Sequence, residues 1–357
     1  MSESNKNQNF FKKSFHKARR VAAKYWYKLY EPYTIAVTGS QGKTNTTTLL
    51  ASLMPKALRT DINLDTLYNV PITALKIKKA KQLCIFELGI DKPQEMSLHL
   101  EIVKPNISIV TGISPVHTDA NHLGSLENII KEKRKIVEVL TQKDYAILNY
   151  DDLNVRDMAK FTKAKVLFYG SNPKFCQVYT NANLTENTNY SIDLKGTKFS
   201  IFDKDDPSKE IRLSTKLIGI HHVSNIMASY LAFKTVNQNS KKPDSNWQEK
   251  FVEVIENQKP LEGRMNIEKG PQGMLVLNDS LRANIESTKL GLKTFNEIKG
   301  TTSQKIAIIG EMGEIGENEI EIHEELGDFI ADQRNINYII GIGPLLQNSK
   351  ESSLKMD

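Results

Sequence analysis

Thr34-Ile-Ala-Val-Thr38 runs without a break into Gly39-Ser40-Gln41-Gly42-Lys43-Thr44. A β-branched apolar run, a loop with two glycines and a helix-compatible stretch follow the strand, loop and helix order of a phosphate-binding loop. Glycines let backbone N–H groups converge on phosphate oxygens, and the N-terminus of the next helix adds partial positive charge. Lys43 would neutralise the β and γ phosphates of a nucleotide, and the Thr44 hydroxyl would ligate Mg²⁺. The strict eight-residue pattern begins with Gly where this chain has Val37, which separates the loop from those of motor and switch NTPases.

Outward from this loop, Leu83-Cys-Ile-Phe-Glu87, Ile107-Ser-Ile-Val-Thr111 and Tyr145-Ala-Ile-Leu-Asn149 repeat the apolar strand pattern, separated by helical stretches. Strands apolar on both faces predict a parallel sheet covered by helices on both sides. Residues 175–216 change character. Alternating residues and turn formers, Lys195-Gly196 and Asp205-Asp206-Pro207, predict a small antiparallel β insertion, and a helix is expected over Val223–Val236. The chain punctuates again at Pro260-Leu-Glu-Gly-Arg264, where closure between domains would hinge. A second series then begins: Met274-Leu-Val-Leu-Asn278, Lys305-Ile-Ala-Ile-Ile309 and Tyr338-Ile-Ile-Gly-Ile342. The expected class is α/β. Residues 31–259 would form a P-loop-type central domain with a mostly parallel sheet, and 260–357 a second, Rossmann-like α/β domain.

Composition narrows the function classes. With 357 residues and 39% hydrophobic content the chain can bury a sizeable core. Its only cysteines, Cys84 and Cys176, exclude a disulfide framework and a cysteine-based zinc site, and fit a reducing, cytoplasmic setting. No run approaches the roughly 18 to 20 apolar residues that span a bilayer, and the first residues lack the apolar core of a signal peptide. The net charge of +6 is concentrated at one end: residues 1–30 carry eight Lys or Arg against Glu3, a local +7 that leaves −1 for the rest. That distribution argues against a nucleic-acid partner.

Within the basic head, Phe11, Phe15, Ala18, Ala22, Tyr25 and Leu29 recur at spacings of three and four, predicting an amphipathic helix. Two readings stand open. The helix lies on an anionic membrane surface through residues 10–30, which would make the protein membrane-associated, or it packs on the body with a solvated basic face.

Two polar residues end consecutive strands. Glu87 closes an otherwise apolar strand and would hold a metal directly or through water; His117 follows the next strand in Gly112-Ile-Ser-Pro-Val-His117. Both would lie at the carboxyl edge of the sheet, where α/β proteins place their ligands. Taken singly, either is as compatible with an ordinary loop residue as with a ligand.

The ordered set of motifs resembles the Mur ligase superfamily over about residues 31–342. It comprises the Gly39–Thr44 loop, Glu87-Leu-Gly89, the His117 segment with Leu123-Gly-Ser-Leu-Glu-Asn128, Lys133-Arg-Lys-Ile136 and Asn149-Tyr-Asp-Asp152. It continues through Gly219-Ile-His-His-Val-Ser-Asn225, Gly263-Arg-Met265, Asn278-Asp-Ser280 with Ala283-Asn284, and Gly310-Glu-Met-Gly-Glu-Ile-Gly316 with His323. Within that superfamily the chain is most similar to the members that add D-alanyl-D-alanine to a UDP-N-acetylmuramoyl-peptide.

The resemblance implies an ATP-dependent, ADP-forming amide ligase of peptidoglycan precursor synthesis that uses two Mg²⁺ ions. Gly39, Ser40, Gln41, Gly42, Lys43 and Thr44 would bind the ATP phosphates, with Thr44 and Glu87 on the first metal. His117 would hold the second metal together with Lys133, carbamylated in this family to N6-carboxylysine, so that Lys43, Lys133 and His117 form the catalytic set. Asn225 would contact adenine, and Arg264, Asp279 and Asn284 would close over the nucleotide. The substrates would be a UDP-linked peptide and an amine or dipeptide, and the protein would act as a monomer.

Departures from the family pattern set further expectations. A separate N-terminal UDP-binding domain is expected to be absent and the C-terminal domain shortened. Leu281 and Arg282 replace the Tyr and Asn of the family's Asp-Asp-Ser-Tyr-Asn-Ala-Asn segment, His222 stands where the adenine motif has its first Asn, and His122 is a rival to His117 as ligand. The alternatives are a ligase for another peptide or poly-amino-acid carboxylate, or a catalytically reduced ATP-binding scaffold.

Overall fold

The computed structural model describes residues 3–346 apart from 63, 116–121, 183–188, 282, 300–303 and 314–318, with side chains from Ser14 onward. The chain groups into two compact units. Residues 1–113, 127–169 and 228–243 form the first, and residues 114–126, 170–227 and 244–357 the second.

The first unit contains α1 (Glu3–Tyr30), β1 (Tyr33–Thr38), α2 (Lys43–Leu53), β2 (Leu58–Arg59), α3 (Thr66–Leu75), β3 (Leu83–Glu87) and α4 (Glu95–Ile102). It continues with β4 (Ile107–Val110), α5 (Leu126–Glu138), β5 (Tyr145–Asn149), α6 (Leu153–Asp157) and β6 (Lys165–Gly170). Its strands run in the order β6-β5-β4-β1-β3-β2, every adjacent pair parallel. Ile35, Ala36, Val37, Ile85, Phe86, Ile107 and Ile109 are fully buried, as expected of strands covered on both faces. Each large aliphatic side chain so buried contributes on the order of 1.5–3 kcal/mol. Because β1 lies between β3 and β4, the strand order reverses there, which puts the loop after β1 at the carboxyl edge where open α/β sheets take their ligands.

The second unit holds the antiparallel insertion: β7 (Val178–Thr180), β8 (Tyr190–Asp193), β9 (Gly196–Asp203) and β10 (Asp206–Thr215), with β9 pairing all three others. Its turns fall at the two places the sequence marks. The first two turns of α7 (His221–Gln238) and all of α8 (Trp247–Asn257) follow, then the hairpin β11 (Asn266–Lys269) with β12 (Leu275–Asn278). Finally come α9 (Ile285–Glu297), β13 (Ile306–Gly310), α10 (Glu319–Ala331) and β14 (Tyr338–Ile342), with β13 and β14 parallel. Ile285, Leu292, Ala307, Ile309, Met312, Leu326 and Leu346 form a second core. The Lys305 ammonium satisfies the end of α9 by donating to the carbonyls of Phe295, Asn296 and Ile298.

Helix α1 differs from its expected packing. It is docked on the first unit, but through Ala23 and Tyr27, while the residues of the apolar row with described side chains, Phe15, Ala18, Ala22, Tyr25 and Leu29, are exposed. Specific anchors set this rotation. The Tyr27 hydroxyl bonds to Thr34 Oγ1 (2.6 Å), donates to the Lys104 carbonyl (3.0 Å) and accepts from the Lys104 N–H (3.1 Å). Arg20 donates to the Leu98 carbonyl, the Trp26 indole to the Ile77 carbonyl, and the His16 ring lies 4.6 Å from that of Tyr68. Hydrophobic periodicity finds a helix's apolar row; it does not find which row carries groups that the neighbouring carbonyls require.

Candidate nucleotide site

In the first unit the loop between β1 and α2 is held open by backbone that only glycine adopts readily. Gly39 has φ +150°, and a Cβ there would overlap Thr111 Oγ1 and stand 3.1 Å from the Gly112 carbonyl. Gly42 has φ +81° and caps α2 without a side-chain bond, so Lys43 begins the helix. The Ser40 N–H donates to the Gly112 carbonyl (2.7 Å), fastening the loop to the chain after β4. The result is an eleven-residue helix whose N-terminus faces a glycine cradle, an arrangement suited to anions.

Two lysines enter from different helices. Lys43 Nζ donates to the carbonyls of Gly39 (2.8 Å) and Ser40 (3.1 Å). Lys133, on α5, is buried and donates to the same Gly39 carbonyl (3.0 Å). Burial, and secondarily the charge of Lys43, hold the Lys133 amine well below the usual lysine range, with Asp91 and Glu132 pulling the other way. Glu132 is itself engaged, accepting from the Met96 N–H and from Lys135.

On the other side of the loop, Thr44 Oγ1 donates to Glu87 Oε1 (3.1 Å), and Thr47 Oγ1 stands 3.4 Å from Glu87 Oε2. A hydroxyl and a carboxylate side by side at the mouth of a phosphate cradle are the hard oxygen donors that Mg²⁺ takes, so these residues fit such an ion. Among the described residues, no group of three His, Cys, Asp or Glu side chains is placed to hold a metal. His117, the expected partner of Lys133 on a second metal, lies outside the described residues.

The second unit brings together another part of the expected set. Asn225 is buried on the second turn of α7, after His221 and His222, whose ring centroids are 4.1 Å apart. Burial, then Arg264, brings His221 down to about 4; burial, then His221 and Arg264, carries His222 well below its ordinary value. Arg264 also acts on Asp279, whose carboxyl burial raises while Arg264 and the Met265 N–H oppose the rise. Asn284 has a structural duty as the N-cap of α9. Its Oδ1 accepts from the Ser287 N–H (2.9 Å) and Ser287 Oγ accepts from the Asn284 N–H (3.1 Å).

The Mur ligase middle domain family matches residues 37–233, more than half of the chain. The chain belongs to the Mur ligase family. This Mur ligase is 27% identical over 324 residues to the UDP-N-acetylmuramoyl-tripeptide–D-alanyl-D-alanine ligase of Buchnera aphidicola, covering 90% of the chain and 64% of that relative. Less than two thirds of the relative's length is therefore spanned. In fold it is similar to MurF from Acinetobacter baumannii (TM-score 0.80, 22% identity, covering 95% of this chain and 70% of that one). It is also similar to the MurF ligase of Thermotoga maritima, solved with ADP (TM-score 0.75, 20% identity, covering 93% and 72%).

Sequence reasoning gave no role to several residues that build this Mur ligase site. Thr111 fills the space beside Gly39 and donates to the Thr38 and Gln41 carbonyls; its position at the end of a strand, just before Gly112, was the available signal. Asp152 accepts from the Ile113 N–H (2.6 Å) while capping α6, so it shapes the loop after β4. His99 is buried with Nε2 on the Gly89 carbonyl (2.9 Å), bracing the segment after Glu87. Nothing in its sequence surroundings marks it.

Proposed function

We propose that this Mur ligase is an ATP-dependent, ADP-forming amide ligase that joins D-alanyl-D-alanine to the free carboxylate of a UDP-N-acetylmuramoyl-peptide through an acyl phosphate. The observation that carries the reading is the joint arrangement of Lys43 and Lys133 on Gly39 and of Thr44 on Glu87 around a glycine cradle. The substrate class follows the name of the Buchnera relative.

A carboxylate is a poor electrophile, and transfer of a phosphoryl group gives it a leaving group. A carboxylate oxygen attacks the γ-phosphorus, the bond from that phosphorus to the β–γ bridging oxygen breaks, and ADP leaves. The amine nitrogen then attacks the acyl carbon, the carbon–oxygen bond to phosphate breaks, the amine loses its proton, and inorganic phosphate departs. Lys43 and the loop N–H groups neutralise charge where two anions must approach. Thr44 and Glu87 would hold one Mg²⁺; Lys133 as N6-carboxylysine, with His117, would hold a second, and the ions would screen the same repulsion. The burial that lowers the pKa of the Lys133 amine supports that modification, because the neutral form is the one that adds carbon dioxide. Asn225 would meet adenine, with Arg264, Asp279 and Asn284 toward the nucleotide. A division at residues 259/260, action as a monomer and a cytoplasmic setting complete the reading.

Hydroxylamine trapping tests the intermediate. With ATP, Mg²⁺ and the UDP-linked peptide but no amine substrate, the protein should yield a peptide hydroxamate and ADP in equal amounts. ADP release without hydroxamate would overturn the acyl-phosphate route.

A further inference from the structure

Helix α1 turns to solvent an apolar stripe that its own packing does not use. Phe15, Tyr25 and Leu29 are 61%, 69% and 70% exposed, and Ala18, Val21 and Ala22 between them are exposed as well. At helical spacing these residues share one side, and the docked residues Ala23 and Tyr27, with His16 and Arg20, share the other. Scattered exposed apolar residues are ordinary, but a contiguous row over four turns marks a contact surface.

The charges border this row. Lys17, Lys24 and Lys28, spaced seven and four, run along one margin, all exposed. Arg19 stands at the other margin, its guanidinium 4.6 Å from the centre of the Phe15 ring. The aromatic Trp26 lies at the same border with its indole N–H already satisfied by Ile77. The docked face fixes the helix on the body, so the stripe and its basic margins form one rigid outward surface.

We propose that α1 is a docking surface for an anionic phospholipid bilayer. The Phe15–Ala18–Ala22–Tyr25–Leu29 row would enter the headgroup and acyl boundary while Lys17, Arg19, Lys24 and Lys28 reach lipid phosphates. Charge decides between occupants. A second copy would bring another segment of +7 against this one, whereas an anionic lipid surface complements it. This inference goes beyond the ligase reading and stands without it.

Flotation of the full chain with vesicles tests it, comparing phosphatidylcholine with an equimolar mixture of phosphatidylcholine and phosphatidylglycerol. The chain should float with the mixed vesicles at least about tenfold more than with the neutral ones, and added salt should weaken the effect. The triple variant Phe15→Ser/Tyr25→Ser/Leu29→Ser, altered only at exposed positions, should keep its thermal melt and lose most of the flotation; Lys17→Glu/Lys24→Glu/Lys28→Glu should lose it too. Absence of flotation at low salt, or equal flotation by the well-folded serine variant, would overturn the proposal. So would a dimer in solution that the serine variant abolishes while vesicles remain unbound.

Discussion

The ammonium groups of Lys43 and Lys133 converge on one acceptor, the Gly39 carbonyl, at 2.8 and 3.0 Å. Two full charges on one backbone oxygen, one of them buried, repel each other in a medium that screens poorly. Lys133 yields, because it is the buried partner, and its amine loses its proton far more readily than an ordinary lysine.

That relationship has a pH signature. The unfolded chain keeps the Lys133 proton up to about the ordinary value of 10.5, and the folded chain releases it at a lower pH. Between those values the unfolded state binds more protons, so stability rises with pH, by at most about 1.4 kcal/mol per unit. In bicarbonate-free buffer, the urea stability of the native chain relative to Lys133→Met should therefore increase from neutral pH toward 10. A difference that stays flat would place a charged lysine in the fold.

Gly39→Ala should lower stability by about 2 kcal/mol or more, since φ +150° is strained for alanine and its Cβ meets Thr111 and the Gly112 carbonyl. ADP affinity should fall with it. Gly313→Ala, whose Cβ would enter open space, should leave both nearly unchanged. Thermal denaturation and calorimetric titration with ADP and Mg²⁺ make the comparison.

Much of this was readable in the residues. The Thr34–Thr38 run, the two loop glycines and Lys43-Thr44 state a strand, a turn and a helix start in local chemistry, and Glu87 betrays itself as a carboxylate ending an apolar strand. The β insertion was legible because Lys195-Gly196 and Asp205-Asp206 mark its turns. What the sequence hid depends on tertiary placement. The meeting of Lys133 with Gly39 joins residues 94 positions apart, and the rotation of α1 follows from Tyr27 reaching Lys104 across 77. Neither contact leaves a periodic trace.

Burial brings His99 down to about 4, and its Nε2–H on the Gly89 carbonyl suits the neutral ring. From its ordinary 6.5 down to about 4 the unfolded state takes up the proton first. Stability should drop across that interval by about 3 kcal/mol from this group. His99→Leu should flatten the acid limb of a stability-against-pH curve measured from pH 7 downward. An unchanged limb would assign the acid sensitivity to other groups, His221 and the buried His222 among them.

Tyr27→Phe removes a hydroxyl that serves Thr34 and both main-chain groups of Lys104. Losing these bonds, one of them to the buried Thr34 hydroxyl, should cost about 1–3 kcal/mol in urea unfolding. ADP affinity should not change, because the anchor lies at the other end of β1 from the glycine loop.

The most direct test of the central claim is phosphate release from ATP and Mg²⁺ by the purified chain, with UDP-N-acetylmuramoyl-tripeptide and D-alanyl-D-alanine present together, singly or not at all. Turnover that requires both substrates, and that falls by about a hundredfold or more in Lys43→Ala, is the predicted result. ATP binding without turnover in any mixture would contradict the ligase reading.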